Sequence, residues 1–437
     1  MIFPQVWGYR FLDSPRLEQD FGVRIDKAGM LIDNGKRRDF SYPLEKVAQL
    51  QANLLQRIKE EKTFTTEAKE KLDRDASSFL AFVESKKNIL THALSDEELT
   101  GLYQQYNERF TELNYLPILF VLFASGPLAQ EVLQWMSPEE LAILAKPHKL
   151  PYLLEYERDM LEHDSTHAAR LHQKWHWLPF DYYGAEEWDQ THFQQQLTQP
   201  NPGRLELLRN YPQRTQTQQE EILRQHNLTA EQQQLIKALQ DLSQIQDERK
   251  RITTISYPFL QKKLINEVSR RTGIPNSQLW LMTPAEIAAA LNGKKTNLAH
   301  RQQACAIEIH HGTFVIHEQI PDFLKSTQDK QQDTLTGIPA SRGIVKGRVR
   351  ICKTSQDIKN MQAGEILVAP ATTPDYILGF KKASAIVTDE GGITSHAAVI
   401  SREIGLPCII GTRNASEILR DGDLIEVDAN RGMIRKV

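Results

Sequence analysis

Two adjacent glycines near the C-terminus, Gly391-Gly392, place the strongest constraint on how this chain of 437 residues can fold. Before them, the short run 383–387 (ASAIV) has the apolar, β-branched composition of a buried strand. After them, residues 397–403 have helix-forming composition, and Gly405 is typical of a helix C-cap. The stretch therefore predicts a strand, a tight glycine turn and a helix.

The predicted helix has His396 in its first turn, with Thr394 or Ser395 as its N-cap. The first turn of a helix carries unpaired N–H groups and a partial positive charge, so it favours an anion. The same charge favours a neutral imidazole, the form with a lone pair for nucleophilic attack. This position suits a residue that accepts a phosphoryl group and passes it on. The alternative is a histidine in an ordinary strand–helix connection, which composition alone leaves open.

The ten residues 389–398 (DEGGITSHAA) resemble the phosphohistidine signature of a known swivelling domain. Phosphoenolpyruvate synthase, pyruvate phosphate dikinase, rifampin phosphotransferase and the sugar phosphotransferase enzyme I share this domain. Residues 337–349 are similar to its opening hairpin, 369–376 to its middle loop and 405–411 to its next strand. Arg342 departs from the family, which usually has proline there, and we expect it to change the turn and not the chemistry.

The resemblance implies that His396 is the phosphoryl carrier and that Thr394 hydrogen-bonds the phosphate. We add Ser395, Gly391 and Gly392 to the predicted site, because they shape the turn and the helix start.

Most of the chain before this region has helical periodicity. Apolar residues recur at spacings of three and four from Pro43 to about Lys87, and Ser95 opens a further helix with a capping box. Residues 200–219, rich in Pro, Asn, Gln and Arg, are predicted to be an exposed loop or linker, and residues 299–316 a helix followed by a strand.

The predicted fold class is therefore a multidomain α + α/β protein. A large, mostly helical N-terminal domain (1–325) would bind a substrate or partner, and residues 326–334 would form a flexible linker. A compact β/β/α phosphohistidine swivel domain (335–437) would follow.

An aromatic and histidine-rich segment, 163–193, stands out within the helical region. Its core, WHWLPFDYY, resembles a motif of phosphoenolpyruvate-synthase-like proteins. Two interpretations remain open, the aromatic core of a helical domain and the lining of a substrate cleft. The cleft candidates are Trp175, Trp177, Tyr182 and Tyr183. Histidines four residues apart can bind zinc, but a third convergent ligand is not evident, so no metal site is predicted.

A long helix is predicted from Leu228, and it runs into the charged cluster 246–251 (QDERKR). In rifampin phosphotransferases the corresponding helix carries a catalytic acid and base written Arg-Glu-x-x-Lys. Lys250 matches the lysine and Asp247 the acid, whereas Gln246 stands in place of the arginine. The alternative interpretation of this cluster is a solvated helix face.

Composition excludes several classes of function. With 53 basic and 56 acidic residues there is no electrostatic case for nucleic acid or an anionic membrane. Three scattered cysteines form neither a metal pattern nor a disulfide framework. The N-terminus lacks the features of a signal peptide, and the longest apolar run, 116–124, is too short to span a bilayer. We therefore expect a cytoplasmic protein that does not bind a membrane.

Neither an ATP-grasp domain nor a P-loop is recognisable in the sequence. The chain alone is therefore expected to bind no cofactor. The resemblance implies that a separate ATP-grasp-type subunit, with ATP and Mg²⁺, phosphorylates His396, and that the group passes to a small-molecule acceptor in the helical domain. Two alternatives remain, a regulatory or adaptor protein without small-molecule turnover and a structural relic that takes no phosphate. Neither the acceptor nor the choice between ATP and phosphoenolpyruvate as donor follows from the sequence.

Overall fold

The structure is a computed structural model of the chain. It describes residues 10–26, 28–33, 36–179, 187–196, 201–298, 301, 304–310, 313–317, 321, 334–353, 355–372, 376–392, 395–412 and 414–437.

Eighteen α-helices lie within these ranges, and we number them in chain order. They are α1 (Pro15–Phe21), α2 (Leu44–Glu60), α3 (Phe64–Lys86), α4 (Asp96–Leu119), α5 (Ser125–Val132), α6 (Pro138–Leu144), α7 (Tyr152–Glu162), α8 (Ala168–Trp175), α9 (Gln190–Gln196), α10 (Pro202–Arg209), α11 (Tyr211–Gln225), α12 (Ala230–Pro258), α13 (Asn266–Thr272), α14 (Asn276–Leu279), α15 (Pro284–Leu291), α16 (Ile377–Lys382), α17 (His396–Ile404) and α18 (Ala415–Ile418). Two π-helical segments, Phe120–Ala124 and Phe259–Ile265, directly follow α4 and α12.

Twelve strands complete the secondary structure of the described residues. They are β1 (Ala28–Asp33), β2 (Lys36–Ser41), β3 (Ala304–His310), β4 (Thr313–His317), β5 (Thr334–Thr336), β6 (Ile338–Ser341), β7 (Ile344–Ile351), β8 (Ile366–Ala369), β9 (Ala385–Thr388), β10 (Cys408–Ile410), β11 (Leu424–Asp428) and β12 (Met433–Lys436). A mostly helical N-terminal region is thus followed by a sheet-containing C-terminal region, which confirms the predicted fold class.

The chain divides into two compact units, each built from three segments of sequence. The first unit contains residues 1–124, 163–197 and 245–328, and the second contains 125–162, 198–244 and 329–437. Part of the helical region therefore belongs to the same unit as the C-terminal sheet. The predicted boundaries at 325 and 335 stay predictions, and most of the predicted linker, 326–333, lies outside the described residues.

In the first unit, aromatic side chains hold the long helices together. Phe79 of α3 lies 5.4 Å from Tyr106 of α4, and Tyr106 lies 6.0 Å from Phe259, measured between ring centroids. The Tyr106 hydroxyl and Ser256 Oγ are 2.8 Å apart, so this buried phenol has a polar partner. An antiparallel sheet in the order β2-β1-β3-β4 completes the unit.

The second unit is organised around an eight-stranded sheet in the order β5-β12-β11-β7-β8-β9-β10-β6. Strands β7, β8, β9 and β10 run parallel, and the outer pairings are antiparallel. Side chains alternate between two buried clusters along each central strand: Leu367 and Ile386 lie in one cluster, Val368 and Val387 in the other. This alternation is expected of a sheet covered on both faces.

The predicted exposed loop at 200–219 is wrong, because α10 and α11 occupy this region. Each helix has a proline in its first turn, where the missing N–H costs no hydrogen bond. Asn201 caps α10 by accepting a hydrogen bond from Arg204 N at 3.1 Å. Leu208, Tyr211 and Thr215 are buried at helical spacing. The prolines and asparagines that suggested a loop lie at the starts of these helices.

Two other predictions are refined. The strand expected within 299–316 is β3, and it continues into a hairpin with β4, whereas most of the expected helix lies outside the described residues. The apolar run 116–124 is helical and contains the buried Leu119, Phe120 and Phe123.

Among the described residues, the stretch Asp96–Val132 is the single one that is long and apolar enough to cross a membrane by length and composition. Half of its most apolar window is buried within the protein, and core helices often meet the same criterion.

Candidate functional site

Strand β9 lies at the centre of the parallel part of the sheet and leads directly into the glycine turn. All four of its residues are buried, with β8 on one side and β10 on the other. Ligands of open parallel sheets bind beyond the carboxyl ends of the strands. The turn after Thr388 therefore has the position of a binding site.

Gly391 gives the turn its shape. Its φ is 123°, a conformation that L-residues with a side chain rarely adopt. A Cβ at this position would lie 2.9 Å from Ser395 Oγ and 3.0 Å from Ser395 Cβ. Gly392 is less constrained, because a Cβ there would meet only Ser125 Oγ, at an ordinary 3.8 Å. Position 391 therefore requires a glycine for two reasons, the positive φ of its backbone and the lack of room for a Cβ beside Ser395.

Helix α17 starts immediately after the turn, as predicted. Ser395 is its N-cap, with extended backbone angles, and its Oγ accepts a hydrogen bond from Ala398 N at 3.4 Å. His396 is thus the first residue of the helix. The helix ends at Gly405, whose φ of 69° is the left-handed C-cap conformation expected from the sequence. Ile393 and Thr394 lie outside the described residues, as does the His396 side chain.

The start of α17 can bind an anion. The backbone N–H groups of the first helical turn have no partner within the helix, and the helix dipole adds positive charge at this end. Nine helical residues support that dipole. Ala397, Ala398 and Ile400 hold the helix in place, because their side chains are buried against one face of the sheet. A phosphoryl group on the residue at this position would therefore meet backbone donors.

Asp389 anchors the first half of the turn, and the sequence analysis did not assign it a role. Its side chain is 7% exposed. Its Oδ1 accepts hydrogen bonds from Ser416 N at 2.9 Å and from Thr412 Oγ1 at 3.3 Å, and its Oδ2 accepts one from Ser416 Oγ. Burial raises the pKa of Asp389 above its ordinary value, although these hydrogen bonds oppose the shift. The carboxylate ties the turn to the start of α18.

Backbone hydrogen bonds fix the rest of the turn. Asp389 N donates to Ala369 O at 3.1 Å, and Glu390 N donates to Pro370 O at 2.8 Å. The Thr388 hydroxyl donates to Glu390 O at 2.8 Å. The turn is thereby attached to the end of β8, where the predicted middle loop begins. Residues 373–375 of that loop lie outside the described residues.

The two predicted acid and base candidates lie on α12, in the first unit. Asp247 and Lys250 are half-buried, and both take part in interactions with other groups. Their neighbour Glu248 is 8% exposed and pairs with Arg251, whose Nε lies 3.0 Å from Glu248 Oε2. The residues of this cluster are therefore more buried, and make more side-chain contacts, than those of a solvated helix face. A catalytic role for Asp247 and Lys250 stays a prediction.

The tryptophans of the aromatic segment are packed inside the first unit. Trp175 is 1% exposed and Trp177 is 6% exposed, and their ring centroids lie 5.5 Å apart. Trp177 Nε1 donates to Lys174 O at 2.7 Å, so its polar atom is satisfied within the fold. This burial favours the interpretation as an aromatic core. Tyr182 and Tyr183 lie outside the described residues, and the role of all four as cleft residues stays a prediction.

A charged group beside these tryptophans was not foreseen. His176 Nδ1 lies 3.6 Å from Glu187 Oε1, and Lys262 Nζ pairs with Glu187 Oε2. Burial by itself would raise the pKa of Glu187. The hydrogen bonds from His176 and Lys262 together outweigh this effect, so the pKa of this carboxyl lies below its ordinary value. Nowhere in the described part of the chain do three or more His, Cys, Asp or Glu side chains converge as a metal site would require.

The C-terminal region of the chain is similar in sequence to known proteins. The sequence model of the "PEP-utilising enzyme, mobile domain" family matches residues 361–432, which include β8, β9, the glycine turn and α17.

Three relatives illustrate the similarity. The chain is 44% identical over 111 residues to a probable phosphoenolpyruvate synthase of Methanothermobacter thermautotrophicus, covering 25% of this chain and 16% of that protein. It is 48% identical over 99 residues to the phosphoenolpyruvate synthase of Aeropyrum pernix, covering 22% and 12%. It is 34% identical over 195 residues to the uncharacterized phosphotransferase YvkC of Bacillus subtilis, covering 41% and 23%.

The matched stretch spans less than a quarter of the length of each of these relatives. The similarity to phosphoenolpyruvate synthases and a phosphotransferase agrees with the resemblance found in the sequence. The C-terminal region of this chain carries the mobile domain of the PEP-utilising enzymes.

Proposed function

We propose that this chain is a phosphoryl carrier in which His396 accepts a phosphoryl group and passes it to an acceptor. The observation that carries the proposal is the geometry of the helix start: His396 is the first residue of α17, behind a Ser395 cap and a glycine turn at the carboxyl end of a parallel strand. The family match over residues 361–432 supports it, because this geometry belongs to the matched region.

The chemistry follows from the position. A neutral imidazole nitrogen attacks the phosphorus atom, an N–P bond forms, and the bond from phosphorus to the donor's leaving oxygen breaks with its electron pair on that oxygen. In the second step an acceptor oxygen attacks phosphorus, the N–P bond breaks, and its electron pair returns to the imidazole. Backbone N–H groups at the helix start stabilise the charge on the phosphoryl oxygens in both steps.

The donor and acceptor sites complete the proposal. A separate ATP-grasp-type subunit, with its ATP and Mg²⁺, phosphorylates His396, and a small molecule bound by the helical region receives the group. Thr394 contacts the phosphoryl oxygens, and Asp247 and Lys250 act as acid and base. The protein works in the cytoplasm.

A chemical donor tests the carrier step without the partner. Potassium phosphoramidate contains the same kind of N–P bond as phosphohistidine, so it can phosphorylate a reactive imidazole directly. We expect the protein to gain one phosphoryl group that is labile in acid and stable in alkali. His396→Ala should abolish the gain, whereas His167→Ala, which removes an exposed histidine of another helix start, should not change it. Equal labelling of the wild-type protein and His396→Ala would overturn the proposal.

A second experiment separates an enzyme from an adaptor protein. The phosphorylated protein is mixed with fractionated small molecules from a cell extract, and release of phosphate from His396 is followed by ³¹P NMR. An enzyme transfers the group to one fraction and, with the donor present, turns over more than once. A regulatory protein keeps its phosphoryl group with every fraction.

A further inference from the structure

Ser125, the first residue of α5, lies in the second unit beside the glycine turn that precedes His396, here called the phosphohistidine turn. A Cβ at Gly392 would lie 3.8 Å from Ser125 Oγ, and no other atom of the described residues would come within 4 Å of it. The carbonyl of Gly392 accepts a hydrogen bond from Ser395 N at 2.8 Å, so Gly392 borders the helix start directly. A hydroxyl from outside the matched region 361–432 therefore lies next to the anion-binding end of α17.

The backbone of Ser125 is held by a long helix. The structure is helical without a break from Asp96 to Val132, and the π-helical segment Phe120–Ala124 ends directly before Ser125. Segments of π-helix inside α-helices are rare and occur frequently at functional sites. After Ser125 the helix is anchored by the buried side chains of Leu128 and Val132. Because its backbone is fixed in this way, Ser125 presents its hydroxyl at a defined position.

Two contacts hold the mobile domain in the position where the turn faces Ser125. Ala398 of α17 is fully buried, in one hydrophobic cluster with Leu154 of α7, which is 1% exposed. Arg342, in the turn between β6 and β7, forms an ion pair with Glu139 of α6. Arg342 is the residue that departs from the family's usual proline, so this pair uses a feature particular to this chain. The structure thus shows the mobile domain seated on the helices, with its turn against α5.

We propose that Ser125 contacts the phosphoryl group of His396 whenever the mobile domain occupies this position. The Ser125 hydroxyl donates a hydrogen bond to a phosphoryl oxygen and keeps its proton throughout. When the acceptor oxygen attacks phosphorus and the N–P bond breaks, this bond stabilises the negative charge on the phosphoryl oxygens, together with the backbone N–H groups of the helix start. The inference deepens the proposed function and rests on it, because the contact requires a phosphoryl group on His396.

A cross-link tests the position of the turn. The distance of 3.8 Å between the Gly392 Cβ position and Ser125 Oγ allows a disulfide after a shift of about 1 Å. We expect Ser125→Cys combined with Gly392→Cys to form this disulfide on oxidation with copper phenanthroline, and peptide mass spectrometry identifies it. The three native cysteines are buried and should not compete. Ser125→Cys combined with Lys381→Cys, on the exposed surface of the same domain, is the control and should form none. Equal cross-linking of both pairs, or none in the first, would overturn the proposal.

The second test reports on the hydrogen bond itself. The protein is labelled with phosphoramidate, and the ³¹P resonance of the phosphohistidine is recorded. Ser125→Ala should shift the resonance, because the phosphorus loses a hydrogen-bond donor, and Ser125→Thr should bring it back towards the wild-type position. Gly126→Ala is the matched control: its added methyl meets no described atom within 4 Å, so the resonance should not move. Alanine favours the helix at both positions, so both variants should fold.

Transfer gives the functional readout. With the small-molecule fraction that accepts phosphate from the wild-type protein, Ser125→Ala should transfer about tenfold more slowly, as expected for loss of a hydrogen bond to a charged group. Ser125→Thr should recover most of the rate. A wild-type protein that gains no label would refute the carrier step. A labelled wild type whose resonance coincides with that of Ser125→Ala would refute the contact alone, so the two failures are distinguishable.

Discussion

The phosphohistidine turn and the aromatic segment around α8 were both candidate sites, and they are built in opposite ways. The turn depends on backbone conformation: a positive φ at Gly391, a cap at Ser395 and N–H groups at the start of α17. The aromatic segment depends on side-chain volume, with Trp175 and Trp177 packed away from solvent. Substitutions in the first region should therefore change the chemistry more than the stability. Those in the second should change the stability more than the chemistry.

The largest effect on stability is expected from Trp175→Ala. Removing a fully buried indole leaves a large cavity, and such substitutions cost about 3–5 kcal/mol of unfolding free energy. Denaturant unfolding followed by far-UV circular dichroism measures the loss, and Trp175→Phe should lose less. Labelling of His396 by phosphoramidate should be unchanged at low denaturant. A labelling defect with little loss of stability would instead support the cleft interpretation.

Gly391→Ala should damage the turn. The φ of 123° and the short approach to Ser395 predict a loss of about 1–3 kcal/mol, together with slower labelling of His396. Gly392→Ala is the matched control, because its Cβ meets only an ordinary contact and its labelling rate should stay near that of the wild type. If the two variants behave alike, the special role of Gly391 is wrong.

Ser395→Ala removes the side-chain cap of α17 and should cost about 1 kcal/mol. The helix start would also hold the phosphoryl group less well, so phosphohistidine should form more slowly. Ser395→Thr keeps an oxygen that can accept from Ala398 N and should recover most of both losses. Chemical unfolding and the labelling rate together test the prediction, and an unchanged rate in Ser395→Ala would count against it.

The smallest effect concerns pH. The folded protein raises the pKa of Asp389 above the ordinary 3.8, so at mildly acidic pH the folded state binds more protons than the unfolded state. The stability that depends on this group therefore falls as the pH rises from 3.8 through the folded pKa. Asp389→Asn lacks this titration. Over that pH interval the wild type loses stability through Asp389 and the variant does not, so the unfolding free energy of Asp389→Asn minus that of the wild type should increase with pH. A difference that stays constant would contradict the raised pKa of Asp389.

Much of the phosphohistidine turn could be predicted because its signals are local. The strand at 385–388, the N-cap at Ser395 and the C-cap at Gly405 are separate features. Each of them is determined by residues that are close together in the sequence. The anchoring of Asp389 could not be predicted, because its partners Thr412 and Ser416 come 23 and 27 residues later. An acidic residue directly after a fully buried strand was the available signal.

The helical region shows where local patterns mislead. Pro202 and Pro212 suggested a loop, yet each occupies the first turn of a helix, where proline is tolerated. The pattern of buried residues at Leu208, Tyr211 and Thr215 would have corrected this prediction. The pair between Arg342 and Glu139 joins residues about 200 positions apart, and no periodicity in the sequence reports such a contact.

The three cysteines have a practical consequence. Cys305, Cys352 and Cys408 are all unpaired and buried, and burial raises the pKa of Cys305 to about 11 and those of Cys352 and Cys408 to about 12. Because thiolates are the reactive species, these groups should react slowly with maleimides. Two cysteines introduced on the surface would then take a donor and an acceptor dye selectively in the otherwise native background. Distances between dyes could be followed by energy transfer while the protein gains and loses its phosphoryl group.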